Sequence, residues 1–281
     1  MQHIKVKRDE CLILVDASYY IFHRYFATLR WYKYKVPDVN CEKIHEDEEF
    51  VTAFKKHVHN DIRKWQKSWN FRNNIIFCLD CPRAEIWRME LFPEYKGARV
   101  QSPTFNPNIF TIFYELMDNE LKNIGIQSVS GEKLEADDVV YLLIERLRNI
   151  DESYMNRIIV LTNDNDYLQM KTDSVDLYNL QNKDYDISKR GSGDPKMDLM
   201  IKILMGDISD NIPAVAESVG KVTAEKIARM SENERKEWIE KKGKSCHDAY
   251  ERNRKLISFE CIPKDLIKKF NENCIISVKL K

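Results

Sequence analysis

Three short, uninterrupted apolar runs punctuate the chain, and each gives way to an acidic or amide residue. Residues 11–15 (CLILV) run into Asp16, residues 75–79 (IIFCL) into Asp80, and residues 158–162 (IIVLT) into Asn163 and Asp164. Runs of this length without polar alternation predict strands buried on both faces, as in a parallel sheet. Between them, residues 49–69, 108–123 and 134–148 repeat apolar positions at helical spacing. The alternation predicts an α/β fold, a central, mostly parallel twisted sheet flanked by helices with right-handed crossovers. After Pro195 the pattern turns helical, with segments 197–205, 223–230 and 232–241. Residues 100–107, with Pro103 and Pro107, read as a connection. Residues 183–195 (KDYDISKRGSGDP) read as an exposed mobile loop. The expected division is a core over 1–195 and a helical region over 196–281.

The 281 residues are 43% apolar and 32% charged, enough for one large domain or a core with a small subdomain and too apolar for wholesale disorder. No apolar run approaches the roughly 20 residues that a membrane span needs. Residues 1–10 are mixed and charged and lack the apolar stretch of a secretory signal, so an intracellular protein away from membranes is expected. Seven cysteines, an odd number, fit reduced thiols. Cys78 and Cys81 form a CxxC with no second such pair, which argues against a zinc or redox role. Cys41, His45, His57 and His59 lie in a stretch that also carries Glu46, Asp47, Glu48 and Glu49, and read as a solvated helix face.

The chain balances 45 acids against 45 bases, whereas a nucleic-acid binder is expected to be basic. The balance reads differently if many acids gather in one pocket under metal ions, leaving a basic surface elsewhere. The acids are placed for this. Asp16, Asp80 and Asp164 close three proposed strands, and ligands of open α/β sheets sit at the carboxyl ends of strands. Glu135, Asp137 and Asp138 open a helix, where Glu135 and Asp138 share a face. Asp164 and Asp166 follow the third strand; Asp207 and Asp210 follow Gly206. Taken one at a time, these are ordinary strand-end turns, helix-start acids or a helix stop. Nine carboxylates in one place would repel strongly, and divalent ions remove that cost. All-oxygen ligands suit hard cations, Mg²⁺ or Mn²⁺, and a two-ion carboxylate site suits phosphodiester hydrolysis by in-line displacement.

Five segments resemble, in order, the motifs of the flap endonuclease and 5′-to-3′ exonuclease superfamily, over residues 12 to about 230. These are LVDASYYIFHRYFA (14–27), FCLDCPRAEIWRMELFPEYKGAR (77–99), GEKLEADDVVYLL (131–143), VLTNDNDYLQ (160–169) and MGDISDNIPAVAESVGKVTAEKI (205–227). The sequence departs from the family at Ala17 and Ser218, where glycine is usual. The resemblance implies a PIN-like nuclease core with a helical arch over about 81–120 and a helix-hairpin-helix that holds duplex DNA. It assigns Asp80, Glu135, Asp137 and Asp138, with Asp16 close by, to one metal ion, and Asp164, Asp166, Asp207 and Asp210 to a second.

The resemblance gives Lys96 and Arg99 the scissile phosphate, a role that two cations beside an acidic site can fill. Tyr95 is expected to stack on an unpaired base, with Arg83 and Arg88 as weaker phosphate candidates. Ser218, Gly220, Lys221 and Thr223 form the expected hairpin, Thr223 capping its second helix and a K⁺ ion implied there by relatives. The basic stretch 241–255 reads equally as duplex contact or solvated face.

The expected activity is structure-specific 5′ nuclease action on branched, flapped or nicked DNA in replication, repair or recombination, by a monomer, with an RNA primer in a hybrid as a further substrate. No clamp-binding motif is present in NENCIISVKLK. Two other readings of the same fold are a non-catalytic DNA-binding module, which predicts lost carboxylates or lost Lys96, and a PIN-like ribonuclease.

Overall fold

The computed structural model describes all residues except 8–10, 70–73, 151–156, 182, 184–190 and 280–281. The apolar runs form strands as expected: β2 spans Leu12–Asp16, β3 Ile75–Leu79 and β5 Ile158–Leu161. With β4 (Gln127–Ser130) and β6 (Val175–Tyr178) they build one sheet in the order β4-β3-β2-β5-β6, every pair parallel. Both faces are covered, and the pleat divides the side chains between them. Ile13, Val15, Ile75, Phe77, Ile159 and Leu161 pack under α1 (Ala17–Lys35), α2 (Glu48–Ser68) and α4 (Asn108–Leu116). Their alternates Leu12, Leu14, Ile76, Cys78, Ile158 and Val160 pack under α5 (Ala136–Ile150) and the C-terminal segment around Phe259 and Phe270.

Strand order sets where a site can form. From β2 the chain proceeds outward through β3 to β4, then returns to the other side of β2 to lay down β5 and β6. The reversal opens a crevice beyond the carboxyl ends of β2 and β5, the place where parallel α/β sheets bind ligands. Asp16, Asp80 and Asp164 stand at that edge.

The segment expected as an arch holds a short helix, α3 (Trp87–Leu91), and α4. Ile109, Phe113 and Leu116 bury α4 against the core, so residues 97–103 are the long exposed run within it. Beyond residue 195 the chain forms α6 (Pro195–Met205), α7 (Lys221–Ala228), α8 (Glu232–Lys242), α9 (Lys244–Ile257) and α10 (Lys264–Asn273). Asp194 caps α6 by accepting from the backbone of Lys196 at 2.9 Å, with Pro195 in the first turn. Most of the 183–195 loop lies outside the described residues.

The helical pattern does not run to the end of the chain. Strand β7 (Cys274–Lys279) pairs in parallel with β1 (Gln2–Lys7), a stretch whose mixed charge gave no sign of a strand. In β1 only Ile4 and Val6 are buried; a strand with one buried face carries polar residues on the other. Gln127 ties this small sheet to the large one, its amide accepting from Lys5 N at 2.7 Å and donating to Lys5 O at 2.8 Å. In the 41–49 stretch Glu46, Glu48 and Glu49 are exposed, while Ile44 is buried and Asn106 donates to the backbone of Cys41 and Glu42. Among the described residues no helix is long and apolar enough to cross a membrane.

Candidate active site

Each acid reaches the crevice by a local structural device. Asp16 ends β2 and caps α1, accepting from Tyr19 N at 3.0 Å with one oxygen and from the Tyr167 hydroxyl at 3.0 Å with the other. Asp80 follows β3, accepts from Ala136 N at the start of α5 at 2.9 Å, and is hydrogen-bonded by the Ser18 hydroxyl. Glu135, Asp137 and Asp138 stand at the amino end of α5, where exposed peptide N–H groups favour negative charge. Asp164 accepts from Asp166 N at 2.9 Å and opens a 3₁₀ helix. Gly206 ends α6 at φ 69°, so that Asp207 turns back and caps a second short 3₁₀ helix ending at Asp210.

Two groups of three carboxylates result. Oxygens of Glu135, Asp137 and Asp138 come within 4.8 Å of one another, as do those of Asp166, Asp207 and Asp210. Tyr95 joins them: its hydroxyl lies 3.0 Å from Glu135 Oε2 and 3.1 Å from Asp210 Oδ2. Its single proton serves one carboxylate at a time, so the second oxygen contact adds repulsion that a cation would relieve. Asp16 feels the charges of Asp80 and Asp164, and Asp80 that of Glu135. The fold thus brings all nine acids into one contiguous cluster.

The electrostatics reflect that crowding. Burial, then the charge of Asp80, pushes Asp16 up to about 7. Burial raises Asp80 despite the hydrogen bonds from Ser18 and Ala136. Asp137 is raised far above the carboxylate range by burial and by Asp138. Glu135 moves the other way: against burial, Lys96 and Arg88 hold it low. Asp207, also against burial, is held down at about 2 by Lys202. Carboxylates of which Asp16, Asp80 and Asp137 resist ionising, with oxygen donors and no His or Cys in either group of three, fit hard divalent cations, whose charge would let them ionise together.

The basic residues occupy more varied positions. Lys96 sits at φ 56° in a turn whose N–H donates to Asp210 O at 2.8 Å, and its ammonium pairs with Glu135. Burial would lower its pKa, but Glu135, Asp210 and Asp137 outweigh burial and raise it, so it stays a cation. Arg99 pairs with Asp210 and keeps its side chain about half exposed. Arg83 is exposed and donates to Lys96 O at 2.5 Å.

Arg88 departs from the phosphate role. It is 2% exposed, with its donors directed to Glu135, Asp138 and Leu256 O, which leaves it no face for a phosphate. Tyr95 departs from the stacking role for the same reason: at 3% exposure its ring has no open face. Thr223 does not cap α7. That helix starts at Lys221 with Gly220 as its cap residue, and Thr223 falls within the first turn. Gly220 has an ordinary extended φ of −91°, and nothing would meet a Cβ there. Ser218 is exposed in the connection between α6 and α7, and Lys221 is exposed at the start of α7.

A cleft of about 700 Å³ runs from Asp164 and Asp207 past Lys202 to Lys221 and Arg229. Sequence reasoning missed four residues that touch the acids: Ser18, Tyr167, Trp87, whose indole N–H donates to Asp138 at 2.9 Å, and Lys202. Only Tyr167, adjacent to Asp166, carried a positional hint. All seven cysteines are free thiols, and burial pushes Cys81 up to about 12.

The architecture and cluster define a group of carboxylates that could hold metal ions at the switch point of a parallel α/β sheet. Residues 11–193 match the family described as 5′-3′ exonuclease, N-terminal resolvase-like domain, and the chain belongs to that family. A 5′-3′ exonuclease of Bacillus subtilis is 28% identical over 231 residues, covering 79% of this chain and 70% of that protein. DNA polymerase I of Bacillus caldotenax is 30% identical over 236 residues, which span 78% of this chain and 23% of the polymerase. The solved structure of phage T5 5′-exonuclease with divalent zinc bound shares the fold, with a TM-score of 0.62 at 19% identity over 93% of this chain and 97% of that one.

Proposed function

We propose that the chain is a metal-dependent 5′ nuclease that hydrolyses phosphodiester bonds in flapped, nicked or branched DNA. The observation that carries this reading is the pair of carboxylate triads facing each other across the Tyr95 hydroxyl at the carboxyl edge of the sheet. Glu135, Asp137 and Asp138, with Asp80 and Asp16, would hold one ion. Asp166, Asp207 and Asp210, with Asp164, would hold the other. Bound there, Mg²⁺ or Mn²⁺ supplies activation of water and neutralisation of the charge that develops on the phosphate.

The chain's own residues supply the rest. Lys96, kept protonated beside Glu135, and the half-exposed Arg99 offer donors to a phosphate at the cluster's rim. Arg88 stays inside and holds Glu135 and Asp138 in place. Lys221 and Arg229 line the cleft that leads away from the acids, where they would face the backbone of a duplex. Residues 97–103, which include Arg99, offer an exposed boundary for the unpaired strand.

The test is cleavage of a labelled 5′-flap duplex by the purified chain, with and without Mg²⁺. Metal-dependent release of short 5′ products is expected. Absence of cleavage on flapped, nicked and blunt duplexes alike, in either metal, would overturn the proposal. A parallel RNA flap distinguishes deoxyribonuclease from ribonuclease action.

A further inference from the structure

Each triad is neutralised by one arginine and one lysine: Arg88 and Lys96 at the first, Arg99 and Lys202 at the second. Around Glu135 and Asp138 the charge comes from Lys96 and from Arg88, which is buried and anchored at its far side on Leu256 O. Around Asp166 and Asp207 it comes from Lys202 on α6. The ammonium contacts Asp166 and lies 2.7 Å from Asp207 Oδ2. Lys202 also lines two spaces at once, the small gap of about 10 Å³ inside the acid cluster and the open cleft of about 700 Å³ beside it. A flexible four-carbon stem with a compact charge can swing from the first into the second, whereas a guanidinium fixed at both ends cannot.

We propose that Lys202 is an internal counter-cation that holds the Asp166–Asp207–Asp210 triad in the metal-free enzyme and is displaced into the cleft when a divalent ion binds there. This rests on the metal-dependent reading above. A single positive charge between two carboxylates does part of what an ion would do and must be removed before the ion can use both. The triad therefore binds its ion more weakly than its carboxylates alone would allow. The displaced ammonium enters the cleft on the side of Lys221, adding a third cation there only when metal is present.

The experiment is Mn²⁺ titration of the metal-free protein by calorimetry, with Asp207→Asn and Glu135→Gln identifying which binding event belongs to which triad. Lys202→Met is expected to tighten the event lost in Asp207→Asn by about tenfold, within the usual range for coupling between two bound groups, and to leave the event lost in Glu135→Gln unchanged. The metal-free variant should also melt at a lower temperature than wild type, with the difference shrinking in saturating Mn²⁺. Unchanged or weaker binding at the Asp207 event overturns the proposal while leaving the metal-dependent reading intact. Absence of any Mn²⁺ binding to wild type overturns both. If Lys202→Met does not fold, Lys202→Gln carries the same expectation with a polar side chain of similar reach.

Discussion

Arg88 grips Asp138 with both arms of its guanidinium, Nη1 and Nη2 each standing 2.7 Å from a different carboxylate oxygen, in a place that water does not reach. The same group donates to Glu135 at 2.8 Å and to Leu256 O at 2.7 Å, tying α3 to α5 and to the end of α9. Removing one partner of a buried ion pair leaves the other charge stranded, at a cost of about 3–5 kcal/mol. Arg88→Met should lose that much in denaturant unfolding of the metal-free protein. Arg88→Lys should recover only part of it, since one ammonium cannot span both carboxylates and the carbonyl. A loss below about 1 kcal/mol for Arg88→Met, the scale of an exposed pair, would contradict the role.

Lys96 supplies a separate test of the chemistry. Its charge is set in the ground state against Glu135 and would be drawn toward a phosphate as negative charge builds up. Lys96→Ala should reduce single-turnover cleavage of flap DNA by about 100-fold or more, while flap affinity in Ca²⁺ changes only a few-fold. Equal losses in rate and affinity would assign Lys96 to uniform binding instead.

The Asp16 carboxyl, pushed up to about 7 by burial and by Asp80, predicts a pH dependence of stability. Between its ordinary value of 3.8 and about 7, the folded metal-free protein retains a proton that the unfolded chain has released. Its stability contribution therefore falls as pH rises through that window. Asp16→Asn removes the effect, so the variant should gain on wild type from about pH 4 to 7, with the gap constant above that range. In saturating Mg²⁺ the order should reverse, because only the wild type offers the carboxylate to the ion. Melting curves across the window check this; a gap independent of pH would mean that Asp16 is ionised throughout.

Gly206 makes the turn that aims Asp207 and Asp210. Its φ is 69°, and a Cβ would lie 2.2 Å from Ile212 O and 2.6 Å from the Pro213 carbonyl. Those are backbone atoms and cannot swing aside. Gly206→Ala should destabilise the protein by about 1–3 kcal/mol and weaken ion binding at the second triad more than at the first. Equal weakening at both would indicate general unfolding.

The local calculus of the chain was enough for the framework. Continuous apolar runs marked β2, β3 and β5, because strands covered on both faces have no solvent side to record. Helical spacing marked α2, α5 and α6 for the opposite reason, each having one solvated face. The acids were legible because Asp16, Asp80 and Asp164 follow those strands, and parallel strands end on one edge. Strands β1 and β7 were not legible. Their pairing joins residues 2–7 to 274–279, and no local pattern records a partner that far away.

Side-chain destinations were equally hidden. Arg88 and Lys96 lie eight positions apart in one motif, yet one is enclosed and the other only partly so, because α3 turns Arg88 under α9 while a left-handed turn lets Lys96 reach Glu135 from the rim. Lys202 lies well before Asp207 in an unremarkable helix and meets it only because Gly206 reverses the chain. Residue type and order determined which chemistry the chain can carry. Tertiary packing decided which charges are fixed, which can move and which face a substrate, since burial and pairing depend on distances that the linear chain does not contain.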